Sequence, residues 1–426
     1  MKANRYRISI PLAVTVILWF ASVSVAQQLP KAKLTELGIS AEKLENLSTV
    51  LNSYVKDGRL AGSVAMVLRN GKVVYLNSFG YRDLESRSPM RTDSIFRIAS
   101  QSKALTSVGI MIMQEEGKLL ISDPLSKYLP EFANTTVAQP KDGGGYDIVK
   151  AKRAITIRDL LTHTSGISYG SGPAKDKWEA ANITGWYFAD RDEAISETVK
   201  RIAALPMDAQ PGEKFIYGYS TDILGAVLEK VSGLPLDQFI FERITKPLKM
   251  TDTSFYLGTD KADRFTTVYS AKGSNIEKAP APGLGVGQGA YLTGPKKSFS
   301  GGAGLLSTAN DYARFLQMLL NNGELEGVRI LSRKSVELMT ADHLRKIPYD
   351  RDGVGFGLGF SIVKDVGASG TPSSVGEFGW GGAYHSNYWV DPKEKLVVVY
   401  FTQLIPAGNI DDFGKLRVLI YGSLID

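Results

Sequence analysis

Ser100-Gln101-Ser102-Lys103 is the segment whose residue types and spacing point most directly to chemistry. A serine hydroxyl is a poor nucleophile at neutral pH and needs a base held beside its oxygen. Three residues make close to one helical turn, so Lys103 would share a helix face with Ser100 and reach it. Burial favours a neutral amine, which would take the serine proton. The Ser100 amide would also point out of the helix N-terminus, where it would stabilise an oxyanion. The pattern alone is not selective, because Ser53-Tyr54-Val55-Lys56 fits it too. Ser53, however, lies among Leu44, Leu47, Leu51, Tyr54 and Val55 at helical spacing, so its amide would be bonded inside a helix. Ser100 instead follows the extended run Ser94–Ile98 and precedes a helix carrying Leu105, Val108, Met111 and Ile112, with Gly117 as its stop.

A competing nucleophile is offered by Gly166-Ile167-Ser168-Tyr169-Gly170, which matches a Gly-x-Ser-x-Gly elbow. That elbow works only between a buried strand and a helix, whereas Leu160–Ser165 read as a helix end entering a loop. A triad would also need a histidine, and the chain has only His163, His343 and His385. These are widely separated and show no metal-ligand spacing, so no metal or other cofactor is implied. A second partner for Ser100 would be a tyrosine or similar acid/base near a turn. Pro211–Ser220 supplies two, Tyr217 and Tyr219, and spacing does not choose between them.

The elements that must position these residues follow from periodicity and turn chemistry. A helix is predicted over Ser40–Asp57. It is followed by a hairpin, Ser63–Leu68 and Lys72–Phe79, around Asn70-Gly71. Near the other end Ala383–Val390 and Lys395–Phe401 read as strands joined by Asp391–Glu394, and a last helix runs from Asp411 to Leu424. Strands at both chain ends with helices between them predict an α+β fold, an antiparallel sheet built from both ends and flanked by helices. A sheet subdomain would take residues 27–99 and 323–426, and a mainly helical insert residues 100–322. Helices inside the insert are expected at Ile157–Leu161, Glu193–Ala204, Asp222–Val231 and Ala309–Leu320. Ala138–Gly145 and Ala279–Gly289 read as surface loops, the glycines of the latter lacking the strand and helix that a phosphate-binding turn needs.

Composition narrows the class. Lys2, Arg5 and Arg7 precede an apolar run from Leu12 to Val25, and Ser24-Val25-Ala26 is a small-residue cleavage site. Residues 1–26 therefore read as a secretory signal peptide cleaved after Ala26, placing the mature chain in the periplasm or outside the cell without stable membrane insertion. The chain has no cysteine, which excludes disulfides and thiolate metal sites. The formal net charge of +6 owes half its excess to that leader, and the remaining charges are well mixed. No nucleic-acid stripe is present.

Three segments together carry a family resemblance: Phe96–Lys103, Leu160-Leu161-Thr162-His163-Thr164-Ser165-Gly166-Ile167, and Gly301-Gly302-Ala303-Gly304-Leu305-Leu306-Ser307-Thr308. From about Leu34 onward the chain resembles the serine β-lactamase and penicillin-binding-protein superfamily, most of all class C β-lactamases and family VIII carboxylesterases. The resemblance implies Ser100 as the acylated nucleophile, Lys103 as its base and Tyr217 as the acid/base, with Tyr219 in place of the family's asparagine. It sets Trp380-Gly381-Gly382 where the family has Lys-Thr-Gly, with the Ala383 and Ser100 amides as the oxyanion hole. An indole at Trp380 offers no charge to a substrate carboxylate. Losing such a bond weakens anionic substrates by about 1.5–3 kcal/mol, roughly ten- to a hundred-fold. The implied activity is hydrolysis of carboxylic esters, with weak β-lactam hydrolysis alongside, and Tyr169, Trp186 and Tyr384 are expected to line the pocket. Its rivals are a β-lactamase or D-amino-acid peptidase with the same machinery, and a non-catalytic penicillin- or peptidoglycan-binding module.

Overall fold

Asn70-Gly71 closes the hairpin that its sequence predicts. Both residues take positive φ, 51° and 74°, as a primed two-residue turn requires. The computed structural model describes Met1 and residues 28–279 and 289–426. The expected leader, Met1 apart, and nearly all of the Ala279–Gly289 stretch lie outside them. The hairpin strands β1 (Gly62–Arg69) and β2 (Lys72–Asp83) continue to β3 (Ser88–Pro89). From the far end of the chain come β4 (Val354–Phe356), β5 (Ser361–Val363), β6 (Phe378–Gly382), β7 (Ser386–Asp391) and β8 (Leu396–Phe401). They form one antiparallel sheet in the order β4-β5-β6-β7-β8-β1-β2-β3. The two chain ends meet at its centre, where β1 pairs with β8 from Val64↔Phe401 to Arg69↔Leu396.

Period-two alternation divides the core between the two faces of this sheet. On one face Ala65, Val67, Val398 and Tyr400 pack against α1 (Ala41–Lys56) and α5 (Asp412–Gly422) through Leu44, Leu47, Leu51, Leu416 and Ile420. On the other, Val64, Met66, Val397, Val399 and Phe401 meet the helical region. Its main helices are α2 (Ser102–Glu115), α3 (Ser220–Ser232) and α4 (Ala309–Leu320). Being covered on both faces, β1 and β8 read as continuous apolar runs. The architecture is α+β. Among the described residues no helix is long and apolar enough to cross a membrane.

Local expectations fail where ladders are short or turns are rich in glycine and proline. Ala138–Gly145 is not a plain loop: Thr136–Pro140 pairs with Tyr146–Lys150, and Ala138 is buried with its amide on the Met207 carbonyl at 2.8 Å. Only Phe96–Arg97 of the extended run Ser94–Ile98 joins a ladder, with Leu306–Ser307. Ala383–His385 form the turn between β6 and β7 rather than a strand, His385 taking φ 58°.

Candidate active site

The ladder between Phe96–Arg97 and Leu306–Ser307 delivers the chain to a turn. Ala99 takes φ 42°, a left-handed conformation that costs a non-glycine residue about 1–2 kcal/mol. Ala99–Gln101 then make one 3-10 turn before α2. Tyr312 Oη donates to the Gln101 carbonyl at 2.9 Å, Gln101 Nε2 to Ser386 Oγ at 2.9 Å, and the Leu305 amide to Ser102 Oγ at 2.9 Å. Pinned in this way, Ser100 faces a cleft of about 890 Å³, which Tyr169, Trp186, Tyr217 and Trp380 also line.

Lys103 is 1% exposed. Its Nζ lies 3.4 Å from Ser100 Oγ, 3.2 Å from Tyr169 Oη and 2.8 Å from the Gly302 carbonyl. Burial, with Tyr217 and Asp222 nearby, holds the Tyr169 hydroxyl well above its ordinary pKa, so it stays neutral. All three acceptors are therefore uncharged, and among the described residues no carboxylate ties up the nitrogen. Gly302 and Tyr169 take two of its hydrogens, which leaves the remaining position on the nitrogen facing Ser100 Oγ.

The Gly302 carbonyl is itself positioned by Asp222, the buried residue near the start of α3. Asp222 Oδ1 accepts from Ser300 Oγ at 2.5 Å and from the Gly302 amide at 3.1 Å. Burial raises its carboxyl pKa, and the nearby Lys103 charge opposes that rise. Sequence reasoning missed this support; its signal was the glycine-rich Gly301–Gly304 run folding onto a helix that carries an acid.

Tyr217 approaches from the other wall. Lys103 Nζ sits over its ring, 4.6 Å from the centroid, and the Trp380 indole N–H donates to its Oη at 3.0 Å. Beneath the ring lies His163, with centroids 4.6 Å apart. Burial first, and the Lys103 charge second, push the His163 imidazole well below its ordinary pKa, so it is neutral packing behind the tyrosine. The middle residue, Gly218, permits close approach: a Cβ there would stand 2.3 Å from the Ile167 carbonyl oxygen.

Strand β6 closes the cleft. Its pairing with β5 ends at Ser361↔Gly379, so among the described residues the outer edge of Trp380-Gly381-Gly382 carries no neighbouring strand. A Cβ on Gly382 would fall 2.5 Å from the Ile98 carbonyl oxygen, which shows how tightly the strand lies on the Ser100 turn. Among the described residues neither the Ser100 nor the Ala383 amide has a backbone partner. Two donors are thus left at the cleft end nearest the serine.

Other expected site residues fall elsewhere. Tyr219 is fully buried, bonded through its hydroxyl to the Gly185 carbonyl and stacked on Trp178, so it is core rather than a substrate contact. Tyr384 is likewise buried behind Trp186. Ser168 is buried in a turn, its Oγ taken by the Gly170 amide at 3.0 Å, and Ser53 bonds the Val50 carbonyl on an exposed helix face. His385 does reach the cleft, held by Asp412 at 2.7 Å and stacked on Phe413.

Residues 47–416 match the Beta-lactamase family. The chain is 35% identical to Protein Rv1367c of Mycobacterium tuberculosis, over 83% of this chain and 88% of that one. It is 30% identical to Esterase EstB of Burkholderia gladioli, over 87% and 92%. Among solved structures it is similar to EstCE1, a hydrolase with promiscuous acyltransferase activity. The TM-score is 0.77 at 29% identity, covering 89% of this chain and 99% of that one.

Proposed function

The chain belongs to the β-lactamase family, and from that premise we propose that it is a serine hydrolase cleaving carboxylic esters through an acyl-enzyme on Ser100. The observation that carries the reading is Lys103 Nζ at 3.4 Å from Ser100 Oγ, with no carboxylate partner among the described residues, behind a serine that faces an aromatic cleft. In this reading Lys103 takes the Ser100 proton as Oγ attacks the acyl carbon, while the Ser100 and Ala383 amides receive the oxyanion. The ester C–O bond breaks, and the leaving alkoxide takes the phenolic proton of Tyr217. A water then attacks the acyl-enzyme, giving its proton to the Tyr217 phenolate. The Ser100 Oγ–acyl bond breaks, Oγ recovers its proton from Lys103, and a carboxylic acid departs. Ser100, Lys103 and Tyr217 end in their starting protonation states, the alcohol having kept the original Tyr217 proton and water having supplied its replacement.

Two findings favour esters over β-lactams or D-amino-acid peptides. Trp380 replaces the cation that would hold an anionic substrate, and the similar proteins include two whose names describe an esterase and a hydrolase with acyltransferase activity. A panel of p-nitrophenyl butyrate, nitrocefin and a D-Ala-D-Ala peptide tests the choice. The ester is expected to give the highest kcat/KM, and cleavage of the peptide alone would sink the proposal. Intact-mass detection of an adduct at Ser100 that decays separates an enzyme from a binding module that keeps the fold without turnover. Gly382→Ala is expected to push β6 off the Ser100 turn and lower kcat/KM about a hundred-fold, while Gly422→Ala, with open space around its Cβ and away from the cleft, leaves it unchanged. Export to the periplasm or medium, with cleavage after Ala26, belongs to the same reading, and N-terminal sequencing of the exported protein checks it.

A further inference from the structure

Among the described residues the Tyr217 oxygen has one hydrogen-bond partner, the Trp380 indole N–H at 3.0 Å. We infer that Trp380 is a positioning residue for proton transfer, one that aims the Tyr217 hydroxyl at the leaving group, beyond serving as an apolar wall. The inference rests on the acyl-enzyme reading above. An indole N–H only donates, so Tyr217 Oη must accept from it. The phenolic proton is thereby turned away from Trp380 and is left free to face the cleft.

The surroundings keep this arrangement rigid. Trp380 is paired with Tyr388 across β6 and β7, and its ring meets Phe356 edge-on, with centroids 5.2 Å apart. Lys103 lies over the Tyr217 ring face rather than at its oxygen, so its nitrogen does not displace the indole from Oη. The lysine is on the face, the donor is on the oxygen, and neutral His163 backs the ring. When Tyr217 gives its proton to the departing alkoxide, the Trp380 bond persists and strengthens, because its acceptor is now charged. The benefit must grow with the basicity of the leaving group. A nitrophenolate departs without help, whereas an alkoxide needs the proton as the C–O bond breaks.

Two substitutions remove the N–H while keeping an aromatic wall: Trp380→Phe, and Trp380→3-benzothienylalanine, in which sulfur replaces N–H in a ring of nearly the same shape. Both are measured against ethyl butyrate and p-nitrophenyl butyrate, which share one acyl group. Because kcat/KM reports steps through acylation, damage to the acyl pocket lowers both esters alike. The expected result is a loss of about tenfold or more for the ethyl ester and less than about threefold for the nitrophenyl ester. Equal losses for the two esters, or no loss for either, overturn the inference while leaving the ester reading intact. Wild-type protein that cleaves neither ester overturns both.

Discussion

Ser100→Ala is expected to abolish ester turnover, lowering kcat/KM by roughly 10⁴- to 10⁶-fold, the scale seen when an acylated serine is removed. Neither Ser102 nor Ser168 stands ready to replace it. Ser102 Oγ accepts the Leu305 amide, Ser168 Oγ accepts the Gly170 amide, and both residues are buried. The fold should be indifferent to the change, because among the described residues Ser100 Oγ makes one long hydrogen bond, 3.4 Å from Lys103 Nζ. Thermal unfolding within about a degree or two of wild type, together with loss of the mass adduct, identifies the defect as chemical. Wild-type turnover by this variant would end the case for Ser100 and return attention to Ser168.

Local sequence carried the parts of this arrangement that are local in space. Ser100 and Lys103 are three residues apart, so their meeting is a property of one helical turn. The Asn70-Gly71 turn is just as local, and through it the pairing of β1 with β2 was legible, though not the register shift between Val67 and Leu68. The partners that make the site work are distant in the chain. The Lys103 contact with the Gly302 carbonyl spans 199 residues and that of Trp380 with Tyr217 spans 163. Tyr217 and Tyr219 looked equivalent because the packing that separates them lies outside their own segment. Tyr219 turns inward to the Gly185 carbonyl and Trp178, whereas Tyr217 lies over His163 and beneath Lys103. His163 was legible as a residue but not as a role, since neutral packing leaves no spacing signature. The hairpin over Thr136–Lys150 was hidden by the glycines of its own turn.

Lys103→Met is the second large effect expected, and it tests the base and the buried charge together. Without the amine nothing takes the Ser100 proton, and kcat is expected to fall about 10²- to 10⁴-fold, the usual contribution of a positioned base. Because the lysine lies in the wall of the acylation site rather than across the cleft, KM should change far less than kcat. The same substitution removes the amine whose protonated form opposes the burial-raised pKa of Asp222. In the variant that carboxyl should be raised further. A carboxyl whose folded pKa is raised favours folding below its unfolded value near 3.8 and loses that contribution as pH rises through the folded value. Relative to wild type, Lys103→Met should therefore be least stable at alkaline pH and recover as the pH falls through the folded value of Asp222. Denaturant unfolding at pH 5 and pH 8 reads the difference directly. A stability deficit that is the same at both pH values would mean that Lys103 exerts no field on Asp222. The link between the base and the Asp222–Ser300–Gly302 support would then be one of packing alone.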